Sequence, residues 1–251
     1  PRLLWRSPGY TIVALLRLAL GIGANTAIFA AVDTLLLRPM PYVGADRLVV
    51  PVSINPRGGD CDCVSYADYT DWSRESTIFD AVSLWRSLTI DLTGAGRPDR
   101  VNAIQVSPEY FRVITLKPAA GRLLIPADHE ARAPPVTVIS HGLWMREFGG
   151  ADVIGRNVGI GGTPFQIVGV LPARLAWPEQ GELFIPLRPS LLNEDERMRR
   201  DNLIFSAVAR LSPGVRIEQG NAALAVIDAQ AGSGAPTAPR GEDSSGSRSR
   251  G

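Results

Sequence analysis

The residues able to do chemistry are few, and their spacing works against most of it. Cys61 and Cys63 flank Asp62. Joined by His129 or His141 they would make a nitrogen and sulfur ligand set for zinc. The spacing fits none of the common zinc patterns, and there is no second cysteine pair. We expect a loop pair of cysteines and no metal. Ser140 precedes His141, the residue types of a nucleophile and its base. Adjacent residues do not face each other on a helix, and the serine suits a helix N-cap better. Asp128, His129 and Glu130 offer an acid–base cluster. Pro126 on one side and Pro134 and Pro135 on the other predict a solvated loop for it. Gly21 and Gly23 begin a dinucleotide-binding pattern, but Thr26 takes the third glycine position and no strand precedes it. The chain has no Gly-x-x-x-x-Gly-Lys-Ser/Thr phosphate loop, so ATP hydrolysis by that route is not expected. No catalytic residue, metal ligand or cofactor is therefore expected.

The elements that must position these residues begin with an apolar run. Residues 10–37 are almost wholly apolar, interrupted by Arg17, Asn25 and Asp33. A spanning helix needs about 20 residues, so residues 10–37 are expected to cross a membrane, with Arg17 snorkelling toward headgroups. Ala19, Gly23, Ala27 and Ala31 recur every fourth residue. Such a small-residue face lets helix backbones approach closely in lipid, so these four are the expected helix-packing face. Arg2, Arg6 and Arg17 lie toward the N-terminus, which favours that end inside. Pro39 and Pro41 end the helix.

The remaining 200 or so residues are long enough for one sizeable core. A net charge of +1 with scattered arginines argues against a nucleic-acid partner. Strands are expected at 48–54, 79–92, 100–106, 136–139, 158–162, 165–170, 183–187 and 203–211. Helices are expected at 65–76, from Ser107 with that serine as cap, from Ser140 to the stop at Gly149 and Gly150, at 194–200, and at 215–229. Trp72, Trp85, Trp144 and Trp177 are expected in packing, with Trp177 and Pro178 a candidate partner surface. Residues 232–251 hold no aromatic or large aliphatic side chain and are expected to be disordered. The fold class is α+β.

Several segments together resemble one family. The stretch Leu18-Ala19-Leu20-Gly21-Ile22-Gly23-Ala24-Asn25-Thr26-Ala27-Ile28-Phe29 is followed by Leu36-Leu37-Arg38-Pro39-Met40-Pro41-Tyr42. In order come Ser65-Tyr66 with Asp68-Tyr69 and Asp71-Trp72, then Val106-Ser107-Pro108-Glu109-Tyr110-Phe111, then Pro118-Ala119-Ala120-Gly121-Arg122. After Val138-Ile139-Ser140-His141-Gly142-Leu143-Trp144 and Phe148-Gly149-Gly150 come Ile154-Gly155-Arg156, Ile167-Val168-Gly169-Val170-Leu171-Pro172 and Leu211-Ser212-Pro213-Gly214-Val215. Over residues 2–230 the chain resembles MacB/FtsX-like ABC-transporter permeases, most of all the acidobacterial-type duplicated orphan permeases.

That resemblance implies a cytoplasmic segment at 1–9, the membrane helix at 10–37, and a MacB-like periplasmic core domain at 42–231. Within the domain it implies a porter-like α/β subdomain and an inserted strand-rich subdomain at about 112–200. It also implies a non-catalytic permease that passes ATPase-driven motion to an extracytoplasmic domain for export or efflux. The implied partners are the lipid bilayer, an ABC-type ATPase subunit, other permease helices and a second copy of the chain. The implied location is the bacterial inner membrane. The family carries four membrane helices per unit and this chain has one apolar run, so a truncated or frame-shifted product is expected. The alternative is a membrane-tethered interaction or sensing module without ATPase coupling.

Overall fold

The computed structural model describes residues 47–54, 60, 61, 63–74, 77–96, 98–173, 181–231 and 237–241, with Arg17, Ala19, Leu20 and Gly23. The chain divides into two units, Pro1–Met40 and Pro41–Gly251. In the first, Arg17, Ala19, Leu20 and Gly23 are helical and exposed. Ala27 and Ala31 lie outside the described residues, as does most of the apolar run. No helix among the described residues is long and apolar enough to cross a membrane. The spanning assignment therefore rests on the sequence.

The second unit starts with β1 (Leu48–Ile54), β2 (Asp60–Cys61) and α1 (Tyr66–Trp72). Ser65 caps α1, its hydroxyl oxygen accepting the Asp68 N–H. A long hairpin follows, β3 (Phe79–Thr93) and β4 (Asp99–Val106). Then come α2 (Tyr110–Ile114), β5 (Ala120–Gly121), a 3-10 turn at Pro126–His129, β6 (Val136–Ile139) and α3 (His141–Phe148). The hairpin of β7 (Asn157–Ile160) and β8 (Thr163–Val170) turns on Gly161 and Gly162, both at positive φ as such a tight turn requires. The chain continues through β9 (Leu183–Pro186), α4 (Glu194–Met198), β10 (Ser206–Leu211), α5 (Ile217–Ala231) and β11 (Thr237–Gly241).

Strand pairing divides these elements into two layers sharing one hairpin. On one side β11, β1, β10 and β3 follow each other, all antiparallel, with β2 on the far end of β1. On the other side the pairing returns on itself. β3 pairs β4, β4 pairs β9, β9 pairs β6, β6 pairs β8, β8 pairs β7, and β7 pairs β3 at Leu92 and Thr93. This is a closed six-stranded barrel, which leaves no free edge around the ring.

Each layer has its own apolar core. The first joins Val49, Trp72, Phe79, Leu84, Phe205 and Leu224 among others, with Tyr66 and Tyr69 of α1 against it. The second fills the barrel, with Leu92, Val101, Ile139, Val158, Ile167 and Leu183 among its members. β3 passes through both, and its burial records the change. Residues 81–84 are all buried, as in a strand covered on both faces, whereas residues from Ser87 onward alternate in exposure. Leu187 and Leu192 pack in the first core, and Leu92 and Val101 in the second. The barrel core thus takes in β3 and β4, which lie before the 112–200 segment expected to hold the inserted part.

Three sequence expectations change. Ser107 does not cap α2, whose N-cap is Glu109 with no side-chain bond. Its hydroxyl instead accepts the Leu84 N–H at 3.0 Å and meets the Ser83 hydroxyl at 3.0 Å, while its own N–H donates to the Leu84 carbonyl. A buried backbone donor at the end of the β3–β4 ladder outcompetes the helix end for this oxygen, because unmet buried donors are costly. Within the 232–251 stretch expected to be disordered, Thr237–Gly241 forms β11 against β1. Edge pairing needs only backbone groups, so a segment poor in apolar side chains can supply it. The charged helix at 194–200 ends at Met198, leaving Arg200 to turn back onto α1.

Candidate functional site: the junction between two apolar cores

Buried apolar and polar groups together lie outside the two clusters and link their elements. Ser83 and Ser107 clasp β3 to the chain after β4, as described above. Phe184 on β9 packs on Tyr110 and Phe111 of α2, ring centroids 6.2 and 6.0 Å apart. Thr137 on β6 donates its hydroxyl to the Phe184 carbonyl at 3.1 Å. Arg210, 3% exposed, donates from Nε and Nη2 to the Val113 carbonyl at the end of α2.

A second set of contacts pins the segment that returns from the barrel to the first core. Arg200 reaches Asp68 and Asp71 of α1, each at 2.6 Å. Asp68 also accepts the Ser65 hydroxyl at 2.6 Å. Arg86 of β3 donates to Gln105 at 2.7 Å and Glu196 at 2.8 Å, and lies over the Phe205 ring at 5.2 Å. Burial alone would raise the Glu196 carboxyl, but Arg86 and the Asn193 N–H hold it below its ordinary value.

Of the acid–base cluster only Glu130 is exposed as a solvated loop would have it. Asp128 and His129 are buried in the 3-10 turn. Arg122 grips Asp128 through two bonds of 2.6 and 3.0 Å, and the Ile125 N–H adds a third. Burial would raise the Asp128 carboxyl, yet these donors keep it below the ordinary carboxylate value. His129 Nδ1 is 2.8 Å from the Leu187 carbonyl, so Nδ1 carries the proton and donates. Its Nε2 is buried with no partner. Burial pushes the imidazole below its ordinary value, against the pull of the Leu187 carbonyl and Asp128. A neutral, enclosed imidazole with a paired Nδ1 is a structural tie between the turn and β9, and it has no open approach for a substrate. The sequence signal for its burial was weak, because flanking prolines mark turns and do not report what covers them.

The other sequence candidates are separate. Ser140 caps α3, accepting the Leu143 N–H at 3.1 Å, and His141 stands edge-on to Trp144 at 5.4 Å. They flank a cleft of about 530 Å3 with Asn102, Arg146 and Glu182. Arg146 is held by Glu182 at 2.7 Å, so the cleft presents ion-paired groups. Cys63 is disulfide-bonded, and Cys61 is the one other cysteine of the chain. Among the described residues no group of three or more His, Cys, Asp or Glu is placed to hold a metal. Trp72 is buried in the first core, and Trp144 donates its indole N–H to the Ala151 carbonyl at 2.7 Å. Trp177 and Pro178 lie outside the described residues.

Sequence reasoning missed the tightest crossing. Gly121 of β5 lies opposite Gly169 of β8. A Cβ on Gly121 would fall on the Val168 carbonyl oxygen, and one on Gly169 on the Arg122 carbonyl oxygen. Both glycines stand in segments that carry the family resemblance. What the sequence lacks is any sign that they face each other.

The model of the MacB-like periplasmic core domain matches residues 11–227. The chain belongs to this family. Solved relatives share the fold of this MacB-like domain at low identity. A domain of a permease protein from Porphyromonas gingivalis superposes with a TM-score of 0.63 at 17% identity, covering 80% of this chain and 92% of that one. The periplasmic region of MacB from Actinobacillus actinomycetemcomitans gives 0.62 at 19% identity, with coverages of 79% and 90%. The extracellular domain of the noncanonic ABC-type transporter YknZ from Gram-positive bacteria gives 0.56 at 14%, with coverages of 77% and 99%. Among curated proteins none matches the chain. This is therefore the MacB-like periplasmic domain of an ABC-type permease.

Proposed function

We propose that the domain is a non-catalytic relay of an ABC-type permease, moved by a cytoplasmic ATPase through the helix at 10–37. The observation that carries this is the β3–β4 hairpin, which runs unbroken from the helix-backed sheet into the closed barrel. A rigid element shared by two cores transmits displacement between them, where two loosely linked domains would not. The family match begins at residue 11, within the apolar run, which supports a membrane helix joined to the domain. Ala19, Gly23, Ala27 and Ala31 would pack that helix on other permease helices, and export or efflux would be the output.

The test uses the thiols. The full chain is expressed in a Gram-negative host, spheroplasts are mildly reduced, and a membrane-impermeant thiol reagent is added. Labelling of intact spheroplasts at Cys63 and copurification of an ABC-type ATPase are expected. Labelling only after lysis refutes the extracytoplasmic placement. Labelling outside without any ATPase refutes the relay.

A further inference from the structure

The stretch from Asp60 to Val64 changes partner between two strands of the first layer. Val49 pairs both Ala209 of β10 and Gly241 of β11, so those strands take opposite edges of β1. Ser53 pairs both Thr237 of β11 and Cys61 of β2, so β2 shares the edge that β10 takes. Soon after β2, Val64 pairs Phe205, which stands just ahead of β10. The Val64 N–H donates to the Phe205 carbonyl at 2.7 Å, and the Phe205 N–H returns to the Val64 carbonyl at 3.3 Å. Both residues belong to the first core. β2 and Val64 thus wedge the far end of β1 away from β10, and Cys61 and Cys63 sit where the wedge passes from one strand to the other. Cys63 is disulfide-bonded and half-buried, and Cys61 is its one possible partner within the chain.

We propose that Cys61 and Cys63 form an exchangeable disulfide, a site for a small thiol or dithiol reductant, whose opening loosens this wedge. The proposal goes beyond the permease reading and does not depend on it. Three features carry it. A cross-link stabilises a fold with the logarithm of the loop it closes, and the loop from Cys61 to Cys63 holds three residues, so folding does little to keep the bond closed. Residues two apart in an extended strand stand about 6.6 Å apart, near the upper end of what a disulfide spans. The bond therefore opposes full extension of this stretch along β1, and its reduction permits it. Cys63 is only half-buried, which gives an incoming thiolate access. The exchange balances with two thiols. The first thiolate bonds to the Cys63 sulfur and displaces Cys61 as a thiolate, which takes a proton from water. The second attacks the sulfur of the first, releasing Cys63 and a disulfide of the two thiols, so two electrons pass to the protein.

The full chain in detergent is equilibrated in mixtures of reduced and oxidised glutathione, quenched in acid, labelled with a maleimide and weighed. Both thiols are expected to become labelled together within the range these mixtures span. On reduction, amide exchange at Val64 and Phe205 should quicken about threefold or more, with β6 and β8 unchanged as the check on folding. Cys61→Ser with Cys63→Ser should show the same fast exchange without reductant. A chain that stays unlabelled in excess reduced glutathione, yet labels after denaturation and phosphine reduction, overturns the proposal and leaves a structural disulfide. A bond between two copies, seen as a dimer without reductant, also overturns it. So does exchange at Val64 and Phe205 that is equal in the oxidised chain, the reduced chain and the double variant. None of these results bears on the permease reading, because neither membrane placement nor an ATPase enters them.

Discussion

Replacing Gly169 with alanine tests the backbone crossing that holds β5 against the barrel strand β8. The added Cβ would fall on the Arg122 carbonyl oxygen, with the carbonyl carbon at 2.9 Å and the amide nitrogen at 3.3 Å. All three atoms are backbone, so no side-chain rotation relieves the contact, and β5 must leave β8. Two hydrogen bonds flank the crossing, Ala119 N–H to the Val170 carbonyl and Arg122 N–H to the Val168 carbonyl, each 2.8 Å. At ~1 kcal/mol net apiece, losing both costs about 2 kcal/mol. Forcing a methyl into a packed site adds roughly 1–3 kcal/mol. The total of about 3–5 kcal/mol lowers the Tm of a domain this size by roughly 10 °C. Gly162→Ala is the control, because Gly162 has φ +81 and nothing within 4 Å of its added Cβ. Backbone strain alone costs about 1–2 kcal/mol there. Thermal and urea unfolding of the full chain in detergent, read by tryptophan fluorescence, compares the two. If both variants melt together, the crossing is looser than described and the reasoning fails.

Ser107→Ala removes the acceptor of the buried Leu84 N–H and should cost about 1–3 kcal/mol in the same urea titration, more than a solvent-exposed cap would. Arg200→Gln leaves Asp68 without its cation and Asp71 with only the exposed Arg74; we expect a loss of about 1–3 kcal/mol, and a value near zero would show the clamp to be incidental. The pH dependence follows from His129. Its folded pKa lies below the ordinary 6.5, so the unfolded chain binds the proton more readily. Stability is then full above pH 6.5 and falls as the pH drops below it. His129→Gln should flatten that slope, and urea midpoints measured on both sides of pH 6.5 check it. Asp128, held below its ordinary 3.8, adds a further loss only as the pH falls past that value.

Local order was legible from residue types. Strands at Leu48–Ile54 and Val136–Ile139, the Ser140 cap, the Gly149 stop and the Gly161–Gly162 hairpin all follow from periodicity and turn chemistry. Such features depend on neighbours a few residues apart, which a sequence displays directly. The family was legible too, because many weak segments in fixed order are jointly specific. The closed barrel, the opposition of Gly121 and Gly169, the burial of His129 and the return of Arg200 to α1 were decided by tertiary structure. Each joins residues far apart along the chain, and a residue's type does not name its distant partner. Ser107 shows the same limit at short range. Its type suits a helix cap, but it lies beside the Leu84 N–H, and a buried donor left unmet costs more than an exposed helix end that water can satisfy.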